Sequence, residues 1–178
     1  MKCLLFYVIF LTPLSALAQV YELKDSEISY EVIHLTHTVR GVSTAAKGKL
    51  DCSEAECALL VAVPIKTFDS GDSNRDHHML EATRGELNPM IILKGSLPKN
   101  FVMTNESPKA ELNLSFAGNE RKIHLNKIQK KSSLNEFQVK FDFPISLTAF
   151  KVERPSLLMV PVKDEVKLAV SGDWILKK

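Results

Sequence analysis

The chain has 178 residues, 45% of them hydrophobic and 25% charged, which is the composition of one globular domain with enough apolar material for a core and argues against disorder or several domains. Lys plus Arg number 23 against 21 Asp plus Glu, a net charge of +2, and the cations are not clustered as a nucleic-acid footprint requires. Seven glycines and eight prolines are too few for a collagen-like or linker-rich chain.

Residues 1–18 read as a secretory signal peptide. Lys2 precedes an apolar run from Leu4 to Leu11, the run breaks at Pro13, and the small-residue signature Ala16-Leu17-Ala18 stands ahead of Gln19. A bilayer-spanning helix needs about 20 apolar residues, so the expected mature chain, 19–178, has no stable membrane insertion and lies in an oxidising compartment. Cys52 and Cys57 flank the polar, hairpin-length loop Ser53-Glu54-Ala55-Glu56, and in that compartment they are expected to pair as a disulfide. Zinc would need a second pair of ligands at similar spacing, which the sequence lacks.

Beyond residue 20, alternation of apolar and polar residues dominates. In chain order it predicts strands at Val20 to Leu23, around Tyr30 and Val32, and at Val39 to Leu50. Leu59 to Ile65 is apolar on both faces, as a strand covered on both sides would be. From Ser73 to about Glu86 the alternation stops; Ser73, three residues before Asp76, resembles a capping box that opens one short helix. Strands resume at Ile91 to Ser96, at Leu112, Leu114 and Phe116, and at Arg121 to Ile128. The clearest stripe is Phe137, Val139, Phe141, Phe143, Ile145 and Leu147, followed by Val166, Leu168 and Val170. Such an all-β chain with a single helical excursion excludes a parallel α/β sheet, whose strands each need a crossover. It fits an antiparallel barrel or a sandwich; a barrel of about eight strands removes exposed edges and holds one small ligand.

Catalytic chemistry finds little support. His34 and His37 stand three apart in an expected strand, on opposite faces, and His77 and His78 diverge on the helix. No serine sits in a strand-turn-helix elbow, and Asp69-Ser70-Gly71 reads as a turn. The basic stretch Arg121, Lys122, Lys127, Lys130 and Lys131 reads as the solvent face of a hairpin. The dense polar segment from Thr67 to Leu80 stands apart from these: Arg75, Asp76 and His78 are expected to hold the helix against the barrel mouth, Arg75 and Asp76 each needing the other or a backbone group.

This segment resembles the signature of the YceI-like family, secreted lipocalin-like polyisoprenoid-binding proteins, in Gly71, Arg75, Asp76, His78 and Met79. Tyr30-x-Val32-x-His34, Val39-Arg40-Gly41, Pro89 followed by Ile91 and Leu93, and Asp164-Glu165-Val166 resemble flanking parts of the pattern. The sequence departs from it where 81–86 lack an aromatic pair and where Leu93 replaces Phe. The resemblance implies a lipocalin-like antiparallel barrel with an apolar cavity, binding an isoprenoid or other long-chain lipid without catalysis, metal or cofactor. The candidate ligand-contacting residues are Tyr30, Val32, Leu112, Leu114, Phe116, Phe137, Val139, Phe141, Phe143, Ile145, Val166 and Leu168. A structural or interaction module with a packed barrel is the alternative.

Overall fold

The computed structural model describes residues 19–35, 37–102, 109–126, 128–133, 135–157 and 159–177. The expected signal peptide lies outside them. Among the described residues there are twelve strands: β1 (Gln19–His34), β2 (His37–Ser43), β3 (Lys47–Cys52), β4 (Glu56–Pro64), β5 (Met90–Pro98), β6 (Ala110–Phe116), β7 (Asn119–Leu125), β8 (Ile128–Ser132), β9 (Glu136–Ser146), β10 (Ser156–Leu157), β11 (Val160–Pro161) and β12 (Glu165–Leu176). One α-helix, α1 (Ser73–Ala82), interrupts them between β4 and β5.

Ten strands form one sheet in the order β7-β6-β5-β4-β3-β1-β12-β9-β8, with β2 also paired to β1; β10 and β11 make a separate small hairpin. Every ladder is antiparallel. The two ends of the long path are joined in the chain by residues 126 and 127 alone, and the sheet curls until β7 meets β9. Asn119 Nδ2 donates to the Phe150 carbonyl at 2.8 Å across this seam, and the Phe116 and Phe150 rings meet edge to face beside it. The result is the lipocalin-like barrel, a single-layered wall around one interior. Its upper end carries the β1–β2 turn, α1 and the β6–β7 turn; its lower end carries the β3–β4 hairpin and the C-terminus.

Strand β1 appears in the sequence as two separate strands because its inward face changes parity. The register against β12 slips between Leu23 and Asp25, where one extra residue forms a bulge. Below it Tyr21 and Leu23 face inward, and above it Ser26, Ile28, Tyr30 and Val32 do. The expected strand from Val39 to Leu50 is likewise two: β2 pairs with the upper half of β1 and β3 with its lowest residues, and Thr44–Ala46 step out between them. Arg121 to Ile128 divides in the same way, β7 pairing with β6 and β8 with β9. His34 and His37 do not share a strand; they are cross-strand partners that close the β1–β2 hairpin.

Leu59 to Ile65 is not covered on both sides. Leu60 is 50% exposed, because none of the described residues covers it on the outside of β4. Elsewhere the alternation matches the wall, and in β9 Phe137, Val139, Phe143 and Ile145 are buried between exposed Glu136, Lys140, Asp142 and Pro144. At the lower end Phe137 anchors an aromatic cluster: Trp174 stacks on it with centroids 5.9 Å apart, and Tyr21 and Phe101 meet it edge-on at 5.3 and 6.2 Å. Gly48 makes room for this, since a Cβ there would lie 2.8 Å from Trp174 Cη2. Cys52 and Cys57 face each other in the β3–β4 ladder and are joined in a disulfide, which closes a short loop in the unfolded chain and is worth about 2 kcal/mol.

Candidate functional site: an apolar cavity under a polar clasp

The barrel encloses a cavity of about 100 Å³. Of its lining residues only Ser26, Ser171 and Trp174, through its indole N–H, carry a polar side-chain group, so the interior offers a ligand dispersion and desolvation and few hydrogen bonds. Leu59, Val61, Ile91, Phe141, Leu168 and Val170 line it and remain only half-buried although they lie on the inner face of the curled sheet. The interior is therefore less than fully packed. Seven of the expected contact residues reach it: Leu112, Leu114, Phe137, Val139, Phe141, Phe143 and Leu168. Phe116, Ile145, Val166, Tyr30 and Val32 lie outside its lining; the first three are buried in the core above it and the last two are half-buried near the top of β1.

Tyr30 has a different neighbourhood from the one expected. Its ring lies across Gly41, its cross-strand partner, where a Cβ would fall 2.3 Å from Tyr30 Cε1, and it tilts against Phe68 at 5.8 Å. Burial first, and the Asp76 carboxylate second, push the Tyr30 phenol above its ordinary pKa against an opposing pull from Arg75. Tyr30 thus stands beneath the polar segment as a support.

That segment, from Ile65 to Pro89, crosses the upper end. Val42 and Asp69 exchange backbone hydrogen bonds at 2.9 Å in both directions, and the Ser43 and Thr67 hydroxyls are 2.6 Å apart, fixing one side to β2. Arg84 Nη2 donates to the Ala117 carbonyl at 3.3 Å on the other side. Between these anchors the chain turns at Gly71, whose φ of 78° suits glycine and whose N–H donates to Asp69 Oδ1 at 2.7 Å. The cap of α1 is Asp72, not Ser73: its carboxylate accepts the Arg75 N–H, and this bond, with the Arg75 charge, holds it below the usual carboxylate pKa. Ser73 occupies the first helical position instead. No residue of α1 is fully buried, and Met79, Leu80 and Ala82 pack partly against the core.

Arg75 and Asp76 converge on one residue, Ser70. Asp76 accepts the Ser70 N–H with both carboxylate oxygens, at 3.1 and 3.3 Å, and Arg75 Nη2 donates to the Ser70 carbonyl at 3.0 Å. The expected clasp is present in geometry, but each side chain meets a backbone group and not the other. His78 takes no part in it: its side chain is 69% exposed and bonds Glu81, which also meets His77. The pull of the two imidazoles lowers the Glu81 pKa. A helix-surface position facing solvent explains why His78 fails to reach the barrel.

The sequence matches the YceI-like domain over residues 20–173. The chain belongs to the YceI-like family. Among solved structures it is similar to BcnA of Burkholderia cenocepacia, at 15% identity and a TM-score of 0.70 over 83% of this chain and 95% of that one. It is also similar to a polyisoprenoid-binding domain from Saccharophagus degradans implicated in plant cell wall breakdown, at 11% identity and a TM-score of 0.68 over 88% and 98%. A YceI protein of Campylobacter jejuni follows at 15% identity and 0.61 over 82% and 88%. No curated protein matches the sequence.

Several wall residues of this YceI-like chain escape a reading by stripes, among them Trp174, Phe101 and Phe68, because each sits at a strand end or in a connection where alternation gives no signal. Lys130 departs from expectation most. It does not belong to a solvent face: β8 places Ile128, Lys130 and Ser132 on one side, and Lys130 pairs with inward-facing Val139. Its ammonium lies 5.1 Å from the Phe101 ring centroid and 5.7 Å from that of Phe137, and it donates to the Phe101 carbonyl. Ser132 Oγ donates to the Val102 carbonyl at 3.3 Å beside it. The two side chains tie β8 to the segment that follows β5.

Burial lowers the Lys130 pKa to about 8, below its value in an unfolded chain. Between that pH and the unfolded value the unfolded state binds more protons, so this group's contribution to stability rises with pH through the window and is least favourable below it. Lys130→Met is expected to flatten the stability profile between about pH 8 and 10, as measured by urea unfolding across that range. A variant profile parallel to that of the parent would show that Lys130 is not the group responsible.

Proposed function

We propose that the protein is a secreted or periplasmic, non-enzymatic lipid-binding protein that holds an elongated apolar ligand, an isoprenoid chain or similar amphipathic lipid, inside the barrel as a carrier or sequestering protein. The observation that carries this reading is a cavity wall whose polar side-chain groups are limited to two serine hydroxyls and the Trp174 indole N–H. Each Å² of hydrocarbon removed from water there gains about 25 cal/mol, enough for a long chain to offset the cost of association without directed polar contacts. Membership of the YceI-like family and likeness to a polyisoprenoid-binding domain support the same ligand class.

The size of the cavity gives the packed structural module its one argument. At about 100 Å³ the interior is smaller than the roughly 150 Å³ void that accepts a single benzene ring. A long chain therefore requires the half-buried wall residues to move apart, and a module that never opens would bind nothing. Titration of delipidated protein with a series of isoprenoid quinones and polyprenyl lipids separates the two. Saturable binding that strengthens with chain length is expected, with lipid in an organic extract of the native protein; an empty extract and no saturable binding would leave the packed module.

Secretion is part of the proposal. It is supported by the signal-like composition of residues 1–18 and by the Cys52–Cys57 disulfide, a bond that persists in oxidising compartments. Intact-mass analysis of exported protein is expected to give a chain beginning at Gln19 and two hydrogens lighter than its reduced form. A chain that keeps residues 1–18 in the membrane fraction would refute it.

A further inference from the structure

Among the described residues seven large apolar side chains are exposed, and five of them, Leu35, Leu87, Met90, Met159 and Val160, belong to the upper end of the barrel. Scattered single exposures are ordinary, but a concentration on one end is not. Two of the five occupy hairpin tips: Leu35 between β1 and β2, 56% exposed, and Met159 between β10 and β11, 94% exposed. Both have left-handed backbone, with φ of 53° and 63°. Turns of that kind are relaxed with glycine or asparagine and strained with Leu or Met, so the geometry of the turns does not account for these residues. At the second tip Met159 and Val160 stand side by side, both exposed.

The tips are held together. His34 Nε2 and the Val160 carbonyl are 3.0 Å apart, and the Lys163 N–H donates to the Ile33 carbonyl at 2.8 Å. The base of the second segment is fixed by Asp164, which accepts from Ser146 Oγ and the Thr148 N–H at 2.5 and 2.8 Å. Of the cations in residues 33–40 and 147–163, Arg40 is paired with Glu27 and half-buried Arg154 donates to the Val162 carbonyl, while Lys151 and Lys163 are exposed beside the acid Glu153. Apolar tips flanked by two exposed lysines match an anionic bilayer surface, where side chains enter the headgroup layer while ammonium groups remain at the phosphates.

We propose that the joined β1–β2 and β10–β11 tips form a lip that docks the upper end of the barrel on an anionic lipid bilayer, with Leu35 and Met159 entering its headgroup layer. This rests on the lipid-binding reading above, since a hydrocarbon ligand too insoluble to diffuse through water is best collected at a membrane surface.

The test is sedimentation of the purified protein with vesicles of phosphatidylcholine and phosphatidylglycerol, and with vesicles of phosphatidylcholine alone. The comparison variant is Leu35→Asn/Met159→Asn, chosen because asparagine accepts left-handed backbone and keeps the fold, which an unchanged or raised Tm verifies. The parent is expected to bind the mixed vesicles, the double variant to bind them roughly tenfold or more weakly, and Lys151→Gln/Lys163→Gln to lose the preference for anionic vesicles. Quinone titration of the same samples without vesicles is expected to be unchanged, so a failure of ligand binding is read separately from a failure of docking. Equal sedimentation of parent and double variant would overturn the lip. So would a parent that ignores vesicles but forms a dimer which the double variant abolishes, as that assigns the tips to a second copy of the chain.

Discussion

Phe137→Ala is expected to lower the unfolding free energy by about 3–5 kcal/mol, a fall of roughly 10 °C in Tm for a domain of this size. Phe137 is 3% exposed and is the one ring shared by Tyr21, Phe101 and Trp174, while the Lys130 ammonium lies over it from β8. Truncation removes all four contacts together. The space it leaves adjoins the existing cavity, because Phe137 lines it, and residues that already border a void have less to collapse onto. Ile145→Val, also buried on β9 but outside the cavity lining, is expected to cost only about 0.5–1.5 kcal/mol. Chemical denaturation of both variants checks the contrast; a Phe137→Ala loss no greater than that of Ile145→Val would mean the cluster is not a cooperative unit.

The second large effect is expected at Asp76. Asp76→Ala removes both acceptors of the Ser70 N–H in a half-buried turn, a loss of about 1–3 kcal/mol. Asp76→Asn keeps one acceptor oxygen and is expected to lose much less. The damage is local by construction, because the helix it secures buries no residue fully. Amide exchange across 67–83 should therefore accelerate more than exchange in β9 or β12. If Asp76→Ala leaves both melting and exchange in that segment unchanged while weakening quinone binding, the clasp is a ligand contact instead.

The all-β class, the single helical excursion and the cysteine pair were legible because each rests on local chemistry: alternation, its interruption, and two thiols across a polar loop. What escaped was long-range. The Lys24 bulge reverses the inward parity of β1, so a strand of 16 residues resembles two fragments. Thr44–Ala46 and Asn126–Lys127 divide continuous apolar patterns because one strand changes its place along the sheet, and no local propensity records that. Lys130 was hidden in a basic run, although the spacing Ile128-x-Lys130-x-Ser132 already placed it on the face of a buried isoleucine. Tyr30 and Val32 follow the inward stripe but stand above the void, since alternation reports the side a residue faces and not its height along the barrel.

The first and last strands of the chain are paired along most of their length, from Tyr21 with Leu176 to Val32 with Val166, and Lys177 reaches back to the Val20 carbonyl and the Glu22 carboxylate. Completion of the sheet therefore waits for β12, and the largest loop must be closed before β1 gains its second neighbour. Such high contact order slows folding. It also means that a chain threaded across a membrane from its N-terminal side, as the proposed secretion requires, cannot complete its fold until β12 has emerged, a delay that suits a protein whose proposed place of work lies on the far side.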